Sequence, residues 1–150
     1  MATKSERFAS LGKIQQQHYE RAVQAEREAQ QVVDDIDVSI AKVREYQQDY
    51  QKNLHDLQDK RASSDQLMRM RSFIQQLMQM EVDQLRQRAE AQQRVSELHA
   101  KALQQSQKVR MNEKLVDQAD TEYLAHLKKQ DAKQMDAVAS SMFARRIASV

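Results

Sequence analysis

The sequence predicts an all-α protein: a long antiparallel two-helix coiled coil, or α-helical hairpin, with an overhanging C-terminal helix. The 150-residue chain has one Gly and no Pro, whereas folds with many turns depend on both. Apolar residues recur at steps of three and four, close to the 3.5-residue period of coiled coils. Only 5% of the residues are aromatic and 31% are charged, so a large globular core is not expected.

The first helix is predicted over about residues 5–58. Its packing face is marked by apolar and small residues, continued by His18 and Gln47 at two positions. The predicted face comprises Leu11, Ile14, His18, Ala22, Ala25, Ala29, Val32, Ile36, Ile40, Val43, Gln47, Tyr50, Leu54 and Leu57.

A turn is predicted over about residues 59–64, where the apolar pattern stops. Ser63 precedes Gln66 by three residues, which is the spacing of a capping box that begins a helix. Folding back about residue 61 places residue i opposite residue 122 − i and makes residues 1–150 a single coiled-coil hairpin.

The second helix is predicted over about residues 65–140, followed by a frayed tail over about 141–150. No Gly or Pro interrupts it. Its packing face is predicted to contain Leu67, Met70, Ile74, Leu77, Glu81, Gln84, Arg88, Ala91, Val95, Leu98, Ala102, Gln105, Val109, Val116, Ala119 and Tyr123.

The second helix is long enough to run beyond the first. We expect its overhang to lack a partner within the hairpin and to be covered by another protein. The residues expected to contact that protein are apolar residues with basic neighbours: Val116, Ala119, Tyr123, Lys128, Lys129, Lys133, Met135 and Val138.

A second apolar strip follows the turn, where four of the eight Met residues lie between positions 68 and 80. Phe73, Leu77, Met80 and Gln84 follow the i, i+4, i+7, i+11 spacing of one helix face. Such a strip is typical of a helix that docks into a partner's groove, and Met adapts readily to such surfaces. A thicker core at the turn, or dimerisation there, is the alternative.

Catalytic and ligand-binding motifs are missing from the sequence. It has no phosphate-binding loop, no nucleophile elbow and no HExxH motif. Without Cys, thiolate zinc sites are excluded, and Glu122 with His126 gives only two metal ligands on one face. We therefore expect a protein that is not an enzyme and that needs no metal or cofactor.

The charge balance bears on the class of partner. The 24 basic residues are nearly balanced by 22 acidic ones, so the strongly basic face of a nucleic-acid binder is absent. There is no apolar segment of about 18 residues and no secretory leader pattern, so a cytoplasmic protein is expected.

Four segments of the chain resemble a known family. They are SERFASLGKI (5–14), VREYQQDYQKNL (43–54), SFIQQL (72–77) and KLVDQADTEYLAHLKKQDAKQMDAVA (114–139). In this order they are similar to the FliJ family, the coiled-coil stalk component of the flagellar type III export apparatus.

The resemblance implies a stalk set in the pore of the hexameric export ATPase FliI and linked to the export gate protein FlhA. It implies that the end carrying both termini contacts the ATPase and that Phe73, Leu77, Met80 and Gln84 contact the gate. It also implies a place at the cytoplasmic face of the inner membrane, reached through these partners. The stalk of a virulence secretion system, a structural homodimer and an escort for export substrates or chaperones remain open at this point.

Overall fold

The computed structural model describes residues 2–149 and consists of two long helices. The first, α1, is Lys4–Asp59, and the second, α2, is Ser64–Ala148. No strand occurs between residues 2 and 149. The predicted all-α helical hairpin is therefore confirmed.

The start of α1 is capped by side chains on both sides of its first turn. The backbone N–H of Glu6 donates to Thr3 Oγ1, and the backbone N–H of Thr3 donates to Glu6 Oε2, each over 3.1 Å. This reciprocal pair is a capping box, which satisfies two backbone donors that a helix start would otherwise leave free.

The turn closes α1 with a left-handed residue. Arg61 has a φ of 56°. Its N–H donates to the carbonyl of Gln58, and the N–H of Ala62 donates to the carbonyl of Leu57 over 3.0 Å. These bonds form a Schellman motif, in which glycine is the more usual left-handed residue. Ser63 Oγ then accepts the N–H of Gln66, as the sequence predicted, and α2 begins.

Contacts divide the chain into two units, which we describe separately. The turn unit comprises residues 20–103. The terminal unit comprises the described residues up to Tyr19 and from Gln104 onward.

In the turn unit, the two helices pack antiparallel through a narrow apolar core. Ser39 contacts Gln84 and Arg44 contacts Glu81, so paired residue numbers sum to 123 and 125, close to the predicted 122. The buried side chains belong to Val33, Ile40, Val43, Ile74, Leu77, Val95, Leu98 and Ala102.

Before Ile36, the predicted packing face of α1 is correct at Ala22 and Ala29, which are partly buried, but at other positions it is wrong by one residue. Val33 is 1% exposed, whereas Val32, which the sequence placed in the core, is 51% exposed. In the terminal unit, Gly12 is partly buried and Leu11 is exposed. The buried positions of α1 follow alternating steps of three and four residues, without interruption, back from Leu57. Because the helix is continuous, it cannot rotate locally to bury Val32 or Leu11 instead of the residue that follows each of them.

At three further positions, the residue that follows the predicted one is partly buried. Gln15, Tyr19 and Glu26 are partly buried, while Ile14 and His18 are exposed; Ala25 is partly buried. The chain therefore leaves Leu11 and Ile14 on the surface of the terminal unit.

The terminal unit pairs the start of α1 with α2 as far as Glu122. Lys4 Nζ lies 3.8 Å from Glu122 Oε2, and Ala119 is buried. Val116 is half-buried. The expectation that Val116 and Ala119 lack a partner within the hairpin is therefore wrong. The predicted packing face of α1 began at Leu11, whereas the observed pairing with α2 begins at Lys4 and so extends further along α2.

The last part of α2 is an exposed helix. Every described residue from Thr121 onward is exposed, and α2 continues to Ala148 rather than ending near residue 140. Arg145 and Arg146 lie in its last turn, where positive charge is favourable. Between residues 2 and 149, neither helix has an apolar stretch that could cross a membrane.

Candidate protein-docking surfaces

One side of the turn unit is held by polar contacts between the helices. Arg44 Nε donates to Glu81 Oε1 over 2.9 Å, and Gln47 Nε2 donates to Glu81 Oε2 over 2.9 Å. Gln47 Nε2 also donates to the Leu77 carbonyl over 3.2 Å. Hydrogen bonds from Arg44 and then Gln47 lower the pKa of Glu81 below its ordinary value. This carboxylate is thus kept ionised between the two helices.

A second polar contact lies two turns along α2. Arg88 Nε and Nη2 donate to the two carboxylate oxygens of Asp37. This hydrogen bond and the charge of Asp37 raise the pKa of Arg88, which therefore stays cationic. Further along, His99 Nδ1 lies 2.7 Å from Glu26 Oε1. Charged groups therefore cover this side of the turn unit.

The four residues predicted to bind the gate protein do not share one surface. Leu77 is buried in the core, and Gln84 is half-buried with its Nε2 donating to Ser39 Oγ over 2.7 Å. Phe73 and Met80 are 40% and 48% exposed. Of the four, only Phe73 and Met80 are therefore exposed, while Leu77 and Gln84 pack against α1.

Two tyrosines of α1 complete the surface around Phe73. The rings of Tyr50 and Phe73 lie 4.6 Å apart between centroids, tilted by 59°. Tyr46, one turn before Tyr50, is exposed. We call Tyr46, Tyr50, Phe73 and Met80 the docking patch.

The contribution of α1 to this surface was missed in the sequence. The predicted antiparallel register places Tyr50 opposite residue 72, so it could have indicated the contact with Phe73. A shallow groove of about 470 Å³ borders the patch, lined by Tyr50, Leu57, Gln66, Arg69, Met70 and Phe73.

In the terminal unit, a buried polar side chain replaces an apolar one. Asn112 is buried, and its Nδ2 donates to the Phe8 carbonyl over 2.7 Å. Its Oδ1 and the Oε1 of Gln105 are buried with no hydrogen-bond partner among the described residues. Asn112 continues the packing face between Val109 and Val116. The sequence prediction did not include it because it is polar.

The exposed end of α2 carries most of the residues predicted to contact the ATPase. We call residues 124–148 the extension. Lys128, Lys129, Lys133, Met135 and Val138 are all exposed on it. Tyr123, also exposed, comes directly before it, whereas Val116 and Ala119 lie in the contact with α1.

The apolar pattern of the extension differs from that of the paired helix. The positions on this face recur after eleven residues: Leu124 with Met135, Leu127 with Val138, and the charged Asp131 with the apolar Met142. We call these six residues the extension stripe. An eleven-residue repeat is 3.67 residues per turn, so the left-handed coiled-coil pattern ends near Tyr123. Sequence reasoning did not place Leu124, Leu127 or Asp131 on this face, although the repeat is visible in the sequence.

Metal-binding clusters are not formed by the described residues. Between residues 2 and 149, no three His, Asp or Glu side chains gather as metal ligands would. Glu122, considered with His126 in the sequence, pairs with Lys4.

The family model described as flagellar FliJ protein matches residues 3–148, which is nearly the whole chain. The chain belongs to the FliJ family. This FliJ-family protein is accordingly a structural component of flagellar protein export, with protein partners in that apparatus. No curated protein and no solved structure matches the chain.

Proposed function

We propose that this FliJ-family protein is a non-enzymatic stalk that couples the export ATPase FliI to the export gate protein FlhA. One observation carries the proposal: the extension is a long helix whose described residues are all exposed and which bears an apolar stripe. Isolated helices gain most of their stability from packing of an apolar face. A partner that covers the extension would supply that packing.

The proposed ATPase contact consists of the extension and the residue before it. Tyr123, Met135 and Val138 would be covered by the ring, with Lys128, Lys129 and Lys133 near acidic groups of the ATPase. Val116 and Ala119 would act indirectly, since they hold α1 against α2 next to the contact.

The proposed gate contact is the docking patch of the turn unit. Phe73 and Met80 are exposed beside Tyr50, so an aromatic anchor and a flexible thioether are available together. Leu77 and Gln84 would support the contact from the core side rather than touch the gate protein. Export chaperones are a further class of proposed partner.

The proposed effect on the ATPase follows from mass action. A chain that binds the assembled ring better than the free subunit shifts the equilibrium towards the ring. Through these partners the protein would be held at the cytoplasmic face of the inner membrane. The family is a flagellar one, which favours the flagellar apparatus over a virulence secretion system.

ATP turnover by the purified export ATPase, with and without this protein, tests the proposal. We expect the stimulation to be largest at low ATPase concentration, where assembly limits the rate, and to disappear at high concentration. Turnover that the protein does not change at any ATPase concentration would contradict the proposed coupling. Nucleotide hydrolysis by the chain alone would contradict its non-enzymatic nature.

A further inference from the structure

The second half of the extension has a symmetric order of side chains on one face. From Asp131 the face continues through Met135, Val138, Met142 and Arg146, with steps of four, three, four and four residues. Its midpoint lies between Val138 and Ala139. About this midpoint Met135 mirrors Met142, and the anion of Asp131 mirrors the cation of Arg146.

We propose that two copies of this protein pair through their extensions, antiparallel and about this midpoint. Met135 of each copy then packs against Met142 of the other. Asp131 of each copy forms an ion pair with Arg146 of the other. One twofold axis relates both sets of contacts, so the interface is isologous and closes as a dimer.

The charges select this arrangement. Parallel pairing in register would place Asp131 beside Asp131 and Arg146 beside Arg146, which is unfavourable. Antiparallel pairing neutralises both groups, and neither forms an ion pair within residues 2–149. Helical periodicity places Lys129 and Lys133 on the opposite face, where their charges remain in water.

The apolar centre of the interface is available for pairing. Met135, Val138 and Met142 are all exposed. A shallow groove runs along this face, lined by Asp131, Gln134, Met135, Val138, Ala139 and Met142. A helix of the second copy would fill it with the same side chains.

The dimer contact is short. Asp131 and Arg146 are about 22 Å apart along the helix at 1.5 Å per residue, so we expect a weak, concentration-dependent dimer. Because the proposed ATPase contact also covers Met135 and Val138, the ring and the second copy exclude each other. The inference concerns the protein alone, so its failure would leave the proposed coupling function untouched.

Sedimentation equilibrium of the full-length protein without ATPase tests the inference, up to about 1 mM, where a dissociation constant of that order is still measurable. We expect the weight-average mass of the wild type to rise with concentration from the monomer mass towards the dimer mass. Asp131→Arg leaves only cations at the two ends of the interface, and Arg146→Asp leaves only anions. Each variant alone should weaken the dimer by about tenfold or more.

Mixing the two variants gives the most specific test. In an equimolar mixture, a heterodimer restores both ion pairs, one with the wild-type polarity and one with the polarity reversed, so the dimer should return. The double variant Asp131→Arg/Arg146→Asp should likewise dimerise with itself. A structural effect of either substitution on the helix would not be repaired by mixing, and circular dichroism of each variant provides an independent measure of helicity.

A matched pair of valines tests the apolar centre. Val138 and Val82 are both 59% exposed on α2, but only Val138 lies at the proposed midpoint. Val138→Lys should abolish the dimer, and Val82→Lys should leave it intact. A wild type that stays monomeric at the highest concentration would overturn the inference. So would a dimer that persists in the Asp131→Arg, Arg146→Asp and Val138→Lys variants.

Discussion

Gly12 lies directly against the side chain of Asn112. A Cβ atom added at Gly12 would lie 2.6 Å from Asn112 Nδ2, far closer than a van der Waals contact. That nitrogen is held by its 2.7 Å hydrogen bond to the Phe8 carbonyl. The chain's single glycine therefore accommodates a buried amide where the helices meet in the terminal unit.

The effect of Gly12→Ala should depend on residue 112. In the wild type, we expect it to destabilise the protein by about 1 kcal/mol, because displacing Asn112 costs more than the alanine contributes to helix propensity. In an Asn112→Ala background, the same substitution should stabilise by about 0.5–1 kcal/mol, since only the propensity remains. Urea denaturation of the four proteins measures both values. A stabilising effect in both backgrounds would mean that Asn112 moves aside freely.

Phe73→Ala should remove binding to the gate protein with little loss of stability. Phe73 is partly exposed and contacts Tyr50, so truncation should cost about 1 kcal/mol of stability, whereas interface aromatics often contribute 2 kcal/mol or more to binding. Leu77→Ala should instead cost about 2–5 kcal/mol of stability, because Leu77 is buried. Calorimetric titration and thermal unfolding measured on the same samples separate the two effects.

Met80 and Met78 provide the control for the gate contact. Both are about half exposed, but they lie on different sides of α2, and only Met80 is in the docking patch. Met80→Ala should weaken gate binding, and Met78→Ala should not. If the two variants bind alike, or if Phe73→Ala melts early yet binds normally, the docking patch is not the gate contact.

Removing residues 124–150 should abolish ATPase stimulation and preserve the hairpin. The cut leaves the ion pair of Lys4 with Glu122 intact, so the pairing of α1 with α2 is retained. Circular dichroism per residue should change little, and gate binding should persist. Full-length Phe73→Ala is the complementary control, because it should still stimulate the ATPase. A truncated protein that stimulates as well as the wild type would place the ATPase contact elsewhere.

Stability of the turn unit should fall in acid through Glu81. Hydrogen bonds lower its pKa in the folded protein below the ordinary 4.5, so its contribution is present above that value and is lost as pH falls through the lowered pKa. Glu81→Gln should therefore destabilise the protein at neutral pH, and the difference should shrink as pH falls below 4.5 and through the lowered pKa. Urea denaturation at several pH values measures this.

Glu90 provides the matched control for the acid effect. It is an exposed glutamate of α2 and forms no ion pair with a described residue. Glu90→Gln should leave the pH dependence of unfolding unchanged. If Glu81→Gln and Glu90→Gln give the same pH profile, the contacts of Arg44 and Gln47 do not stabilise the charged carboxylate.

Most of the packing face of α2 could be predicted from the sequence, because its apolar residues coincide with the coiled-coil repeat. Ile74, Leu77, Val95 and Leu98 are examples that are buried as expected. Asn112 was missed since a polar residue at a core position gives no apolar signal. Its neighbours at three- and four-residue steps, Val109 and Val116, were the available indication.

The face of α1 was harder to predict where its apolar residues disagree with the repeat. Leu11 and Ile14 were assigned to the packing face because they are apolar. The side of α1 that faces α2 is instead set by the buried Val33, Ile40 and Val43 further along the same continuous helix. The docking patch was predicted only in part for a related reason. Periodicity identifies residues on one helix face, but the contribution of Tyr50 depends on how the second helix is placed.

The polar contacts of the turn unit also have a mechanical consequence. Arg44 with Glu81, Ser39 with Gln84, and Asp37 with Arg88 each join α1 to α2 at a fixed offset. Sliding one helix along the other by a heptad would break all three together and leave ionised groups beside apolar ones. A force that pulls on α2 along its axis is therefore transmitted to α1 through these three contacts. The two helices then resist stretching together.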